Sequence, residues 1–349
     1  PALMNAILLV VLLLLHAKGA PPETGARWLA LCTSLTGLAH LGMILLALRG
    51  PGLPRPTLRW SPDMTRFVRT GGATLLAASA AQLVLLVATQ IASIGPGAVA
   101  ALYYADRVFQ LPLGFVGVAM VTVVLSDMAL TANREGPDAM LGQALALGLA
   151  LALPAATALV ALAEPIVSAL FEYGRFDAAD RGRTAAALAA FGYGLPFAIA
   201  AKVFGQVYFA RRAPRLPLIS GGLAVLVAAL IGFCFAHEGN AAGMAALAAT
   251  FAFVAQAALL GGALLCDGIW RPSVSSLRPI AASLAASAIM LAVLELLLRL
   301  LAGPLAFDQP ALHRVGALGL LCLAGLATYG AAGWTLGAFG ALPLRKRRG

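Results

Sequence analysis

The stretch Leu102-Tyr103-Tyr104-Ala105-Asp106-Arg107-Val108-Phe109-Gln110-Leu111-Pro112 sets an aspartate and an arginine side by side inside residues 99–125, a run otherwise apolar and long enough to cross a bilayer. A guanidinium in hydrocarbon costs at least ~2.5 to 3.5 kcal/mol even on insertion scales, so it faces a wet cavity or a partner. The stretch therefore points to a membrane fold and to a first candidate residue, Arg107. An anion is the natural ligand of that charge. The competing reading pairs it with Asp106 or with another helix as bundle glue.

The rest of the chain agrees on the class. Of its 349 residues 61% are hydrophobic and 11% charged, with a mean hydropathy of +0.91. Apolar runs of this length place a chain in the bilayer. Runs read against turn clusters predict an all-α, polytopic membrane protein with ten spans, near residues 1–16, 28–48, 73–94, 99–125, 140–162, 185–209, 217–236, 241–265, 279–301 and 313–339. The first is short of the ~20 residues a spanning helix needs. The chain also opens on Pro1, without a basic n-region or a small-residue cleavage site after the apolar core. The expectation is a polytopic protein whose beginning lies upstream, either as a fragment or as a short gene.

Basic residues orient the spans, because positively charged loops stay cytoplasmic. One set of alternate connections holds fifteen: Arg49, Arg55, Arg59, Arg66, Arg69, Arg134, Arg211, Arg212, Arg215, Arg271, Arg278, Arg345, Lys346, Arg347 and Arg348. The other set holds seven: Lys18, Arg27, Arg175, Arg181, Arg183, Arg299 and Arg314. The bias predicts a cytoplasmic carboxyl terminus. It also accounts for the net charge of +10 without nucleic acid, which would need one contiguous basic face. The terminal basic cluster suits anionic membrane lipids instead.

Cys32, Cys234, Cys266 and Cys322 are far apart and read as buried small hydrophobes, and the four histidines are equally scattered. No metal site is expected, because two ligands on one helix face need short spacing.

At 100° per residue, Tyr103, Arg107, Gln110, Gly114, Val118 and Thr122 share one face of their helix. Gly114 and Gly117 are expected to let a neighbouring backbone approach, and Pro112 removes a backbone donor and can kink the helix. Asp106 points about 100° away from Arg107 and is expected to serve another helix or the membrane edge. Lys202, behind a second interrupting proline, Pro196, is the other cation within a span. It either supports the same cavity or snorkels to the cytoplasmic interface. Glu295 and Arg299 read as a local ion pair, and Gln82, Gln90 and Gln256 as interhelical hydrogen-bond glue. Asp177 and Asp180, three apart in an outer loop, read as a solvated helix start rather than a metal site.

The connections leave no room for a soluble catalytic domain, and no nucleophile comes with a matching base. No charge ring or filter-like loop speaks for a channel. Proline-interrupted helices around a buried cation fit a transporter.

The residues Tyr103-Tyr104-Ala105-Asp106-Arg107, followed by Leu111-Pro112, Gly114, Gly117-Val118-Ala119 and Thr122, resemble the signature of the MurJ (MviN) lipid II flippases. A second block agrees: Leu170-Phe171-Glu172-Tyr173-Gly174-Arg175-Phe176-Asp177-Ala178, then Gly194-Leu195-Pro196, Lys202-Val203, Phe209-Ala210-Arg211 and Pro217. The opening Pro1-Ala2-Leu3-Met4-Asn5 is similar to the start of that family's fifth helix.

The resemblance implies helices five to fourteen of a fourteen-helix fold in the multidrug/oligosaccharidyl-lipid/polysaccharide (MOP) exporter superfamily, without the first four. It divides the chain into two helices of a first lobe (1–48), a basic cytoplasmic linker (49–72), a six-helix second lobe (73–265), two helices forming a lipid-tail groove (266–339) and a basic tail (340–349). It also implies a bacterial cytoplasmic-membrane flippase that moves undecaprenyl-diphosphate-linked disaccharide peptide, lipid II, by alternating access in cell-wall biosynthesis. No cofactor is implied beyond a coupling ion of unnamed identity, and partners are membrane lipids and cell-wall synthesis proteins. Arg107 matches a family cavity arginine that engages the diphosphate, with Tyr103, Asp106, Gln110 and Lys202 around it. Two departures stand out: Ser126-Asp127 replaces a usual Leu-Pro pair, and Ala213 replaces a common aspartate. The family's other cavity arginines lie on early helices, so this chain alone is expected to bind diphosphate weakly. Alternatives are another exporter of the superfamily, a non-transporting scaffold for cell-wall enzymes, and a polyprenyl-phosphate transferase.

Overall fold

The computed structural model describes residues 2–19, 21–47, 61–131, 137–211, 213–301, 303 and 310–341. Within these every regular element is helical. The chain falls into two compact units, Pro1–Thr65 and Arg66–Gly349.

The first unit is a helical hairpin of α1 (Ala2–Ala17) and α2 (Pro22–Ala47). The turn takes Gly19 through φ 60°, a region open to glycine at no steric cost. Apolar side chains point outward around both helices, as lipid-facing helices require. Thr33 and Thr36 donate back to the carbonyls of Leu29 and Cys32, at 2.8 and 2.7 Å, so their hydroxyls are not left bare.

The second unit carries α3 (Pro62–Ala78), α4 (Ala80–Ala92), α5 (Ala98–Thr131), α6 (Pro137–Ala161), α7 (Ala163–Phe171), α8 (Ala178–Ala210), α9 (Arg215–Phe235), α10 (Ala241–Cys266), α11 (Val274–Leu300) and α12 (Ala311–Leu336), closed by a short 3-10 turn. Helix α8 is its axis, packed against α10, α6 and α5, while α10 also meets α9 and α4. Small residues make these approaches possible, as in other membrane bundles. A Cβ on Gly232 would lie 2.0 Å from Ile91, one on Gly221 2.6 Å from Ala80, and one on Gly194 2.6 Å from the Thr250 hydroxyl. Helices α11 and α12 pair with each other, and α11 lies along α6. A second apolar cluster, with Leu162, Met290, Leu294, Leu321 and Tyr329, fills that seam.

Among the described residues seven helices are long and apolar enough to cross a membrane, and they coincide with seven of the ten expected spans. The other three differ. The run 1–16 is the shorter apolar helix Met4–Ala17. The run 73–94 is broken at Ser79 into α3 and α4, where the Ser79 hydroxyl bonds back to the Leu75 carbonyl at 2.8 Å, a contact that bends helices. The run 99–125 lies within the single helix α5, of which the side chains from Val118 on lie outside the described residues. The stretch read as a basic linker, 49–72, is helical from Pro62 onward. Arg134, Arg212 and the cluster Arg345–Arg348 lie outside the described residues, as do the side chains of Val118, Thr122, Ser126 and Asp127.

Candidate functional site: an exposed arginine on α5

Helix α5 is held in rotation by its buried side. Leu102, Ala105, Val108, Phe109 and Val116 are buried, and the Phe109 ring stacks between Phe191 at 5.1 Å and Phe253 at 6.2 Å. Toward the amino-terminal end of α5 Tyr104 packs on Phe171 and Phe176, with ring centroids 4.8 and 5.7 Å away. Such offset aromatic pairs add directional attraction to the area they bury. With that side fixed inward, Tyr103, Arg107, Gln110 and Gly114 form an exposed strip, the face expected from 100° spacing.

Asp106 turns the other way. It is 8% exposed, and it accepts a hydrogen bond from the Gln110 side-chain amide one turn along the same helix. The expectation that it serves another helix or the membrane edge is thereby corrected: a buried carboxylate needs a donor, and the i,i+4 neighbour is the donor in reach. Arg107 takes part in none of the three ion pairs found among the described residues. The structure thus separates two adjacent charges, one satisfied inside the lobe and one presented outside.

Among the described residues no neighbouring backbone makes the close approach expected at Gly114 and Gly117. A Cβ built on either meets nothing within 4 Å, because both lie along or beside the exposed strip rather than at a helix crossing. Pro112 sits within α5, and the helix continues through it. Lys202 is exposed on α8 a turn from exposed Gln206. That strip lies on the opposite side of the helix from Tyr193 and Phe197, with Pro196 between. No contact between Lys202 and Arg107 is found among the described residues.

One charged cluster escaped the sequence reading. Glu172, at the end of α7, accepts from Arg181 through Oε1 and from Arg314 through Oε2, the latter at 3.0 Å. The Arg314 guanidinium also donates to the Ser168 hydroxyl at 2.8 Å and lies 5.8 Å from the Tyr173 ring. Arg314 is only 7% exposed, where the charge pattern along the chain predicts a loop residue. Its partner is 142 residues away, so no local spacing could announce the pair.

Other readings resolve variously. Asp177 and Asp180 do start a helix, as reciprocal members of a capping box at the head of α8. Glu295 and Arg299 form no ion pair among the described residues; both are exposed on the last two turns of α11, where solvation competes with pairing. The cysteines are free, but Cys234, Cys266 and Cys322 are exposed rather than buried, since a helix facing lipid needs no burial to be apolar.

Chemically, an exposed guanidinium without a carboxylate partner can make two parallel charge-assisted hydrogen bonds to a phosphate or carboxylate. The fold defines a multi-pass, all-helical membrane protein. The family model described as "Lipid II flippase MurJ" matches residues 1–308. The chain belongs to the MurJ lipid II flippase family. A probable lipid II flippase MurJ of Rhizobium meliloti is 32% identical over 344 residues, covering 97% of this chain and 64% of the relative. The lipid II flippase MurJ of Burkholderia cenocepacia is 28% identical over 296 residues, 80% of this chain and 55% of the relative. A solved MurJ structure in an inward closed conformation shares the fold, with a TM-score of 0.71 at 20% identity, over 94% of this chain and 64% of that one. The chain thus spans between 55% and 64% of the length of these relatives.

Proposed function

We propose that this chain serves as a lipid II flippase of the cytoplasmic membrane, carrying an undecaprenyl-diphosphate-linked disaccharide peptide across by alternating access, with its carboxyl terminus cytoplasmic. The observation that carries the reading is the exposed Arg107, left without a carboxylate partner among the described residues while Asp106 is satisfied inside the lobe. A diphosphate is doubly matched by such a group, in charge and in the spacing of its oxygens. Transport then exposes a nearly fixed charge site to one side of the membrane and then the other. The reading involves no covalent chemistry, and a coupling ion is its one candidate cofactor. Tyr103 borders Arg107 on the strip, and Lys202 is a second cation for the anionic headgroup.

The test is complementation. Cells depleted of their own flippase receive the open reading frame or its Arg107→Ala or Arg107→Lys variant, and growth and precursor translocation are followed. Arg107→Ala is expected to abolish rescue, and Arg107→Lys to reduce translocation roughly tenfold or more, since lysine keeps the charge and loses the two-pronged grip. Normal growth and flipping by Arg107→Ala would overturn the reading.

A further inference from the structure

We propose that Gln110 is a positioning residue that holds the Asp106 carboxylate inward, so that the neighbouring Arg107 guanidinium stays free for an anionic ligand. The inference rests on the reading of Arg107 given above and assigns Gln110 and Asp106 a role other than touching the substrate.

Asp106 is buried and Arg107 exposed although they are consecutive. A buried carboxylate takes whatever donor is available, and the attraction of an adjacent guanidinium is strong in a low-dielectric setting. Counted at 100° per residue, Gln110 lies about 40° round the helix from Asp106, on the side of Arg107. Its amide donates to Asp106 Oδ2. The carboxylate is thus satisfied by a neutral group, and Arg107 keeps its donors. A leucine at 110 would remove that donor while filling similar volume. The carboxylate would then be left to the charge of Arg107, which already acts on it, and would compete with any phosphate for that charge. The Phe109 stack on Phe191 and Phe253 lies on the far side of the helix from this strip, so the substitution leaves the helix anchored.

The measurement reads Arg107 directly. The full chain and its Gln110→Leu, Asp106→Asn and Gln110→Leu/Asp106→Asn variants are reconstituted in lipid nanodiscs and exposed to phenylglyoxal. The rate of Arg107 modification is followed by peptide mass spectrometry. Binding of undecaprenyl diphosphate is measured in parallel, with Arg107→Ala as its control. Gln110→Leu is expected to slow labelling about tenfold, equivalent to ~1.4 kcal/mol of competition, and to weaken diphosphate binding by a similar factor. The double variant is expected to label within about twofold of wild type, because asparagine offers no charge to attract the guanidinium. Unchanged labelling in Gln110→Leu overturns the proposal. So does slowed labelling that Asp106→Asn fails to restore, which would mark Gln110 as merely structural. If labelling behaves as expected but wild type binds no diphosphate, the positioning role stands and the lipid diphosphate reading falls.

Discussion

Replacing Tyr329 by phenylalanine tests how α12 is docked. Pro154 lies within α6 and has no N–H, so the carbonyl of Ala150, four residues earlier, loses its helical donor. Tyr329 of α12 supplies the replacement: its hydroxyl donates to the Ala150 oxygen at 2.5 Å. The tyrosine is 4% exposed, and Ala150 is equally buried, so water does not substitute readily. Leaving a buried carbonyl unpaired costs about 1–3 kcal/mol, and side-chain hydrogen bonds inside membrane proteins fall nearer ~0.6 to 1.7 kcal/mol. The expected loss for Tyr329→Phe is therefore about 1–2 kcal/mol. The edge contact with Phe339, at 6.0 Å, survives the change. The assay is equilibrium unfolding of the purified chain in mixed micelles, run as a double-mutant cycle with Pro154→Ala. Alanine restores the N–H of residue 154, so Tyr329→Phe should then cost roughly 1 kcal/mol less than in wild type. Equal costs in both backgrounds would refute the claim that the tyrosine answers the proline.

Glu172→Gln is expected to destabilise by about 3–5 kcal/mol, because it leaves Arg181 and Arg314 half-buried to buried without their shared carboxylate. Asp180→Asn, which breaks the more exposed Arg183 pair at 2.7 Å, should cost only about 0–1 kcal/mol. Comparable melting losses for the two would contradict this ranking. Gly232→Ala should cost about 1–3 kcal/mol by forcing a Cβ against Ile91, whereas Gly114→Ala meets nothing and should be neutral or stabilising by up to ~1 kcal/mol. Thermal unfolding of the pair decides between them, and a destabilised Gly114→Ala would show that the strip is packed against something.

What was legible in the sequence was whatever is written locally. Apolar runs located the helices, and 100° spacing put Tyr103, Arg107, Gln110 and Gly114 on one face. The Asp177 and Asp180 capping box was readable because its two members are three residues apart. The bond between Asp106 and Gln110 was equally local, at i,i+4, and could have been found by asking which donor a buried carboxylate would meet. Glycine roles failed for a different reason. Whether a glycine is a packing site depends on which helix crosses there, and Gly232 against Ile91 or Gly194 against Thr250 are meetings that no single helix encodes. The link from Pro154 through Ala150 to Tyr329 spans 179 residues, and the Glu172 cluster spans 142.

Two arginines show how a structural cation differs from an available one. Arg314 lies in the first turn of α12 and Arg107 inside α5, and by composition either could be the site. Arg314 is wrapped by Ser168, Glu172 and the Tyr173 ring, so its charge is already compensated and an incoming anion would have to displace a carboxylate with two arginine partners. Arg107 has the opposite surroundings, since the nearest carboxylate is engaged by an amide and the aromatic stack behind it keeps the helix from rotating the charge inward. A membrane protein can keep an uncompensated cation only where water or a ligand reaches it. The surroundings of each arginine, more than its presence, separate the charge that holds the fold together from the charge that is available for work.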